Sequence, residues 1–145
     1  ELVSEGNNGM EVVIVPAKET KQRRAITINR KDISEIQMAK GAIRAGIELL
    51  LDSCNKTSKD IDSLIIAGAF GTFIDIESAI TIGMFPDIPR NRFKQVGNAA
   101  GIGAKLSLLS IQQRALVSSM RNRFEYLELA NHPNFTDEFA KAMSM

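Results

Sequence analysis

Apolar residues fall along this chain in two rhythms, one short and strand-like, one long and helical. Residues 11–16 (E-V-V-I-V-P) are mostly β-branched and stop at a proline, which predicts a strand. Residues 25–29 (A-I-T-I-N) alternate apolar and polar, which predicts a second. Between them, residues 17–24 are mostly charged and read as the exposed tip of a hairpin. Residues 64–67 (L-I-I-A) are apolar without interruption and end at Gly68, a pattern that suits a strand buried on both faces. Residues 93–96 form a further short strand candidate. Residues 1–9 are polar, with Gly6, Asn7, Asn8 and Gly9 together, and residues 1–10 read as a loop or frayed end.

The helical rhythm begins after Asp32. That residue suits an N-cap, and Glu35 three positions on completes a capping-box pattern. Ile33, Ile36, Met38, Ala39, Ala42, Ile43, Gly46, Ile47, Leu50 and Leu51 then recur at helical spacing, predicting a helix over about 33–54. Ala39, Gly41, Ala42, Ala45 and Gly46 give it many small positions. Each glycine costs roughly 1 kcal/mol of helix propensity, so something approaches that face closely, another element or a ligand. Asp75 caps a short helix through Ile82, and Gly83 ends it. Residues 84–92 hold two prolines and cannot be regular helix. Residues 97–103 (G-N-A-A-G-I-G) read as a second small-residue turn. A long helix is expected from 104 to about 128, burying Leu106, Leu108, Leu109, Leu116, Val117, Met120, Phe124 and Leu127. Thr136 caps a last helix carrying Phe139, Ala140 and Met143. The order predicts one α/β domain over 1–145, bordering on α+β, with one mixed sheet covered by helices.

Composition narrows the class. The chain has 145 residues and a formal net charge of +1, which leaves no nucleic-acid footprint. Basic residues cluster locally at 18–24 and 114–123, as a hairpin tip and the wet face of a helix. Cys54 stands alone, which excludes an internal disulfide and a cysteine-built metal site. It reads as a small filler at a helix end, and His132, before Pro133, as a surface loop residue. No run approaches the roughly 20 apolar residues that span a bilayer, and a cytoplasmic origin is the default expectation. The start at Glu1, without methionine, suggests a piece of a longer protein.

Candidate chemistry gathers at small-residue sites. Gly68 and Gly71 follow one predicted strand, and residues 97–103 follow another. Ligands of open α/β sheets sit beyond the carboxyl ends of strands, so both turns belong on one rim. Gln37, Lys40 and Arg44 fall on one face of the helix before them, where they suit a ribose and a purine; a solvated polar stripe is the plainer use. An ordinary strand-to-helix turn is likewise the plainer reading of 63–71. The chain carries no Walker loop, no G-x-S-x-G, no H-E-x-x-H and no C-x-x-C, and spacing identifies no nucleophile or general base.

Five segments carry a resemblance. They are D-I-S-E-I-Q-M-A-K-G-A-I-R-A-G-I (32–47), I-A-G-A-F-G (66–71), I-G-M-F-P-D-I-P (82–89), V-G-N-A-A-G-I-G-A (96–104) and E-L-A-N-H-P-N-F (128–135). In this order, across nearly the whole chain, they resemble the C-terminal part of the ATP-dependent reductive activators of corrinoid proteins. The resemblance implies one lobe of the fold shared by actin, sugar kinases and heat-shock ATPase chaperones. Residues 66–71 then look like the adenosine motif, residues 96–104 like the second connecting motif, and Gln37, Lys40 and Arg44 like the adenine- and ribose-contacting helix. The last match is loose, since Gly41 follows Lys40.

The implied nucleotide-binding set is Gln37, Lys40, Arg44, Gly68, Ala69, Gly71, Gly97 and Asn98, with no catalytic residue and no metal ligand. The implied cofactor is ATP, with Mg²⁺ in the complete protein, and a [2Fe–2S] cluster is expected in an N-terminal region outside this chain. The implied partner is a corrinoid protein, returned from cob(II)alamin to cob(I)alamin, and a homodimer is possible. The first phosphate loop, with its Asp-x-Gly pattern, is missing, so this stretch alone is not expected to hydrolyse ATP. Two other functions compete. One is a docking or dimerisation module with no working nucleotide site, for which Phe85 in the 84–92 loop is a candidate contact unless that loop packs on its own sheet. The other is a lobe of a sugar or acid kinase.

Overall fold

A computed structural model describes residues 3–6 and 9–144. Its first unit is an antiparallel sheet in the order β1 (Val3–Gly6), β2 (Gly9–Val15), β3 (Ile26–Asn29). Val12 sits opposite both Val3 and Ile28, and a register shift between Val13 and Val15 marks a bulge against β3. The loop expected over 1–9 is thus partly a strand, because Val3–Gly6 pairs with the well-patterned β2. Glu1, Leu2, Asn7 and Asn8 lie outside the described residues.

Helix α1 (Arg30–Ser53) leaves β3 without a linker. Its N-cap is Asn29, not Asp32. The Asn29 Oδ1 accepts from the Lys31 and Asp32 amides at 2.8 and 3.1 Å, and Asp32 Oδ2 accepts from the Asn29 amide at 2.9 Å. This is a capping box displaced three residues upstream, because the last strand residue is already extended and carries a side chain able to cap. The stripe that α1 buries is Lys40, Gly41, Ala45, Gly46 and Leu49, while Ile33, Ile36, Met38, Ile43 and Leu50 are exposed. Helix α6 (Phe135–Met143) lies along that stripe. A Cβ at Gly41 would stand 2.8 Å from Met143 Cγ and 3.3 Å from Phe139 Cε2. A Cβ at Gly46 would instead meet Leu129 Cδ1 at 3.4 Å, and Ala39 and Ala42 are exposed, so of the two glycines only Gly41 is explained by helix α6. Its N-cap position is Asn134 rather than Thr136, and Ala142 is its buried alanine, with Ala140 exposed.

The second unit is parallel. Strand β4 (Leu64–Ala67) pairs with β5 (Phe93–Gly97), joined through α2 (Ala69–Phe73) and α3 (Ile76–Thr81). The expected single mixed sheet is thus two small sheets among the described residues. Strand β4 alternates in burial, with Ile65 exposed, rather than being covered on both faces. Ala79, Met84 and Phe85 form the core here, packed by Ile47 of α1, Ile66 of β4 and Phe93 of β5. Phe85 is 5% exposed and its ring lies 5.9 Å from that of Phe93. The 84–92 loop therefore packs on its own sheet and does not offer Phe85 as a contact. Arg90 clamps the loop, donating to Glu77 at 2.6 and 2.9 Å and to Asp87 at 2.6 Å.

The long helix expected after residue 104 is two helices, α4 (Ala99–Leu109) and α5 (Ile111–Met120), followed by a 3-10 turn at Arg121–Arg123 and irregular chain. Ser110 breaks it. Its backbone is extended at φ −133° and ψ 120°, and its hydroxyl accepts from the Gln113 amide at 3.2 Å, capping α5. Serine competes for backbone hydrogen bonds inside a helix and so favours such a start. The apolar positions assigned to a buried side are instead exposed at Leu106, Leu108, Leu109, Leu116, Val117 and Phe124.

Candidate functional site

The ends of β4 and β5 build the candidate site. Gly68 follows β4 at φ 94° and ψ 168°, and Gly97 ends β5 at φ 60°, both in the left-handed region that favours glycine. The Gly68 amide donates to the Gly97 carbonyl at 2.6 Å, which ties the two turns together at the carboxyl rim of the parallel pair. Above Gly68 the space is open, for an added Cβ would meet nothing within 4 Å. Ala69 starts α2 beside it and is exposed.

Gly71 is small for a different reason. A Cβ there would lie 2.5 Å from Ile66 Cγ2 and 3.3 Å from the Ile66 backbone. It lets the first turn of α2 rest on β4 and faces packing, not open space. Gln95 supports the same turn, donating through Nε2 to the Gly71 carbonyl at 2.5 Å and the Ile74 carbonyl at 2.8 Å. Gln95 was not among the predicted site residues; its one signal was a polar side chain inside a short strand. Asn98 caps α4, its Oδ1 accepting from the Gly101 amide at 2.9 Å. Most of the G-N-A-A-G-I-G stretch is therefore the first turn of a helix, with the turn itself confined to Gly97 and Asn98.

The α1 residues are placed differently. Gln37 is exposed. Lys40 is 2% exposed and already engaged within the protein. Arg44 pairs with Glu48 at 2.6 Å, in a small concavity shared with Glu138, Lys141 and Ala142 of α6. The structure thus brings Gly68, Ala69, Gly97 and Asn98 to one rim, with Gly71 beneath, and turns Arg44 toward α6. Cys54 is exposed at the end of α1, and His132 accepts through Nδ1 from the Asn134 amide at 3.3 Å. Among the described residues no group of His, Cys, Asp and Glu is arranged to hold a metal ion, and no helix is long and apolar enough to cross a membrane.

A family model described as the C-terminal domain of RACo, the ASKHA domain, matches residues 1–145. The chain belongs to that family. Its fold is therefore one lobe of the actin-like ATPase type, as the five sequence segments imply. A corrinoid activation enzyme, RamQ of Eubacterium limosum, is 35% identical over 133 residues, covering 92% of this chain and 22% of that protein. A solved reductive activator for a corrinoid, iron–sulfur protein superposes with a TM-score of 0.88 at 39% identity, covering 98% of this chain and 23% of the other. The chain spans between a fifth and a quarter of the length of these relatives, which are named for corrinoid activation.

Proposed function

We propose that this chain is the nucleoside-facing lobe of an ATP-dependent reductive activator, which returns cob(II)alamin to cob(I)alamin in a corrinoid protein of cytoplasmic methyl transfer. The observation that carries the nucleotide part is the open rim at Gly68, in a family whose fold is an ASKHA domain. The Gly68 amide is spent on the Gly97 carbonyl, and above Gly68 the rim presents a bare Cα face. Such a face suits the flat side of a base or ribose better than a phosphate, which asks for several N–H groups.

In this reading Gly68 and Ala69 form the wall on which the nucleoside rests, and Gly97 and Asn98 close its end. Asn98 Oδ1 is committed to Gly101, leaving its NH₂ as the donor toward a ligand. Gly71 keeps α2 seated on β4. Gln37 joins from the exposed side of α1, whereas Lys40 and Arg44 reach the ribose only by leaving their present partners. ATP, with Mg²⁺ in the complete protein, would supply the free energy for the reduction through its binding or its hydrolysis. Reduction of cob(II)alamin takes one electron, delivered in this reading by a [2Fe–2S] domain outside this chain.

The test is calorimetric titration of a non-hydrolysable ATP analogue into the longer protein. Gly68→Val should weaken binding about tenfold or more. Gly9→Val is the matched control, because Gly9 has a similar φ of 97° and equally open surroundings. Equal effects of the two variants, or no effect of either, would remove Gly68 from the nucleotide site.

A further inference from the structure

The two glycine turns of the rim belong to different elements. Gly68 and Ala69 open α2, while Gly97 ends β5 and Asn98 starts α4. At the rim itself the tie between them is the Gly68 amide on the Gly97 carbonyl. Just below, the register of the parallel pair shifts. Gln95 stands opposite Ile66 and Gly97 opposite Ala67, which leaves Val96 as the extra residue of a bulge. A bulge re-aims the strand beyond it, so the ladder alone does not fix where Gly97 lies relative to α2.

Gln95 spans that gap. Its Nε2 donates to the Gly71 carbonyl at 2.5 Å and to the Ile74 carbonyl at 2.8 Å. Helix α2 has five residues, and the last carbonyls of a helix find no partner within it. One NH₂ group serves both carbonyls, which fixes the end of the amide that faces α2. Gly71 is also the residue that rests on Ile66, with no room for a Cβ between them. The first turn of α2 is thus located twice, by Ile66 in height above β4 and by Gln95 in distance from β5. We propose that Gln95 is the positioning residue of the rim, latching α2 to β5 so that the Gly68–Ala69 wall stands at a nucleoside's width from Gly97 and Asn98. It acts through Gly71 and touches no ligand. That the rim takes a nucleoside rests on the reading above.

Arg92 supplies the matched contrast. It precedes β5 and donates through Nη1 to the Ile61 and Lys59 carbonyls at 2.7 and 3.2 Å, ahead of β4. The construction is the same, one side chain on two backbone carbonyls, but it stands at the amino end of the parallel pair. Both latches hold the pair together, and only that of Gln95 borders the rim.

The experiment is calorimetric titration of a non-hydrolysable ATP analogue into the longer protein. Gln95→Met keeps the length of the side chain and loses both donors, so it should weaken binding about three- to tenfold. Arg92→Met should lower the unfolding temperature yet hold affinity within about twofold, since hydrogen bonds far from a ligand support stability alone. Gln95→Glu sets a carboxylate against two carbonyls and should weaken binding about thirtyfold at pH 8. Its neutral form can donate to one carbonyl, which raises its pKa. Its deficit, taken as a ratio to wild type at each pH, should therefore shrink about threefold or more by pH 5. Asp75, beside Ile74, stays charged over this range, because the Ser78 hydrogen bonds hold its carboxyl below the ordinary value. A simple loss of stability moves none of these ratios with that sign. Wild-type affinity in Gln95→Met would overturn the proposal, as would an equal loss in Arg92→Met or a Gln95→Glu deficit that ignores pH. If Gln95→Glu does not fold, the two methionine variants decide. If Gly68→Val weakens binding and Gln95→Met does not, the positioning role falls and the nucleotide wall stands. If neither does, the nucleotide wall itself falls.

Discussion

Gly68 and Gly71 stand three residues apart and do opposite things. Gly68 needs its glycine for a backbone angle and leaves space above it; Gly71 needs its glycine because Ile66 fills the space. Gly71→Ala should therefore destabilise by about 1–3 kcal/mol, the usual cost of overpacking, since a β-branched side chain and backbone must both give way. Urea unfolding of the longer protein checks this, and an unchanged midpoint would mean that α2 lifts off β4 freely. Asp75, at the start of α3, gives a pH-dependent counterpart. The Ser78 side-chain and backbone hydrogen bonds hold its carboxyl below the ordinary aspartate value, side-chain bond first. A depressed folded-state pKa contributes stability above the unfolded value, near pH 4, and that contribution is lost as pH falls through the folded value. The gap in urea midpoint between wild type and Asp75→Ala should accordingly be present at pH 7 and close toward pH 2.

Among elements, those with local signals were legible and those set by neighbours were not. The β-branched run before Pro16, the Asp75 cap and Gly83 at φ 79° each mark a boundary where the structure has one. The start of α1 slipped because two overlapping capping boxes are written there, and Asn29, at the end of a paired strand, is the one already in the extended conformation a cap requires. Asn29→Ala should lower stability by about 1 kcal/mol, while Glu35→Ala, whose carboxylate only meets Lys31 at 3.7 Å on the surface, should change little. Thermal unfolding of both variants tests the assignment. The long helix predicted after residue 104 failed at Ser110, since its apolar positions continue through the break and one serine is a weak local signal against them. The candidate rim was legible as two glycine turns after strands. Gln95 was not, because its role depends on where β5 lies beside α2, and periodicity does not report that. The Gln37, Lys40 and Arg44 stripe was legible as a helical face but not in its direction, since Gly41, beside Lys40, draws that face toward α6.

At the scale of the whole chain, α1 belongs to two cores at once. Ile47 packs into the cluster of Ala79, Met84 and Phe85 that holds β4 and β5, while Gly41 and Ala45 form the buried stripe along α6. The glycine rim stands on the first core alone. Damage to the two cores should therefore separate in function. Phe85→Ala removes a ring from the first core and should cost about 3–5 kcal/mol, releasing the rim with it. Gly41→Leu drives a side chain into Met143 and Phe139, so it should free α6 from α1 and leave the Gly68–Gly97 hydrogen bond in place. Native-state hydrogen exchange distinguishes them: Gly41→Leu should deprotect amides of α6 while β4 and β5 keep theirs, and the longer protein should hold its nucleotide affinity within about twofold. Loss of protection in β4 and β5 as well would mean that α1 transmits the displacement through Ile47, making the two cores one cooperative unit.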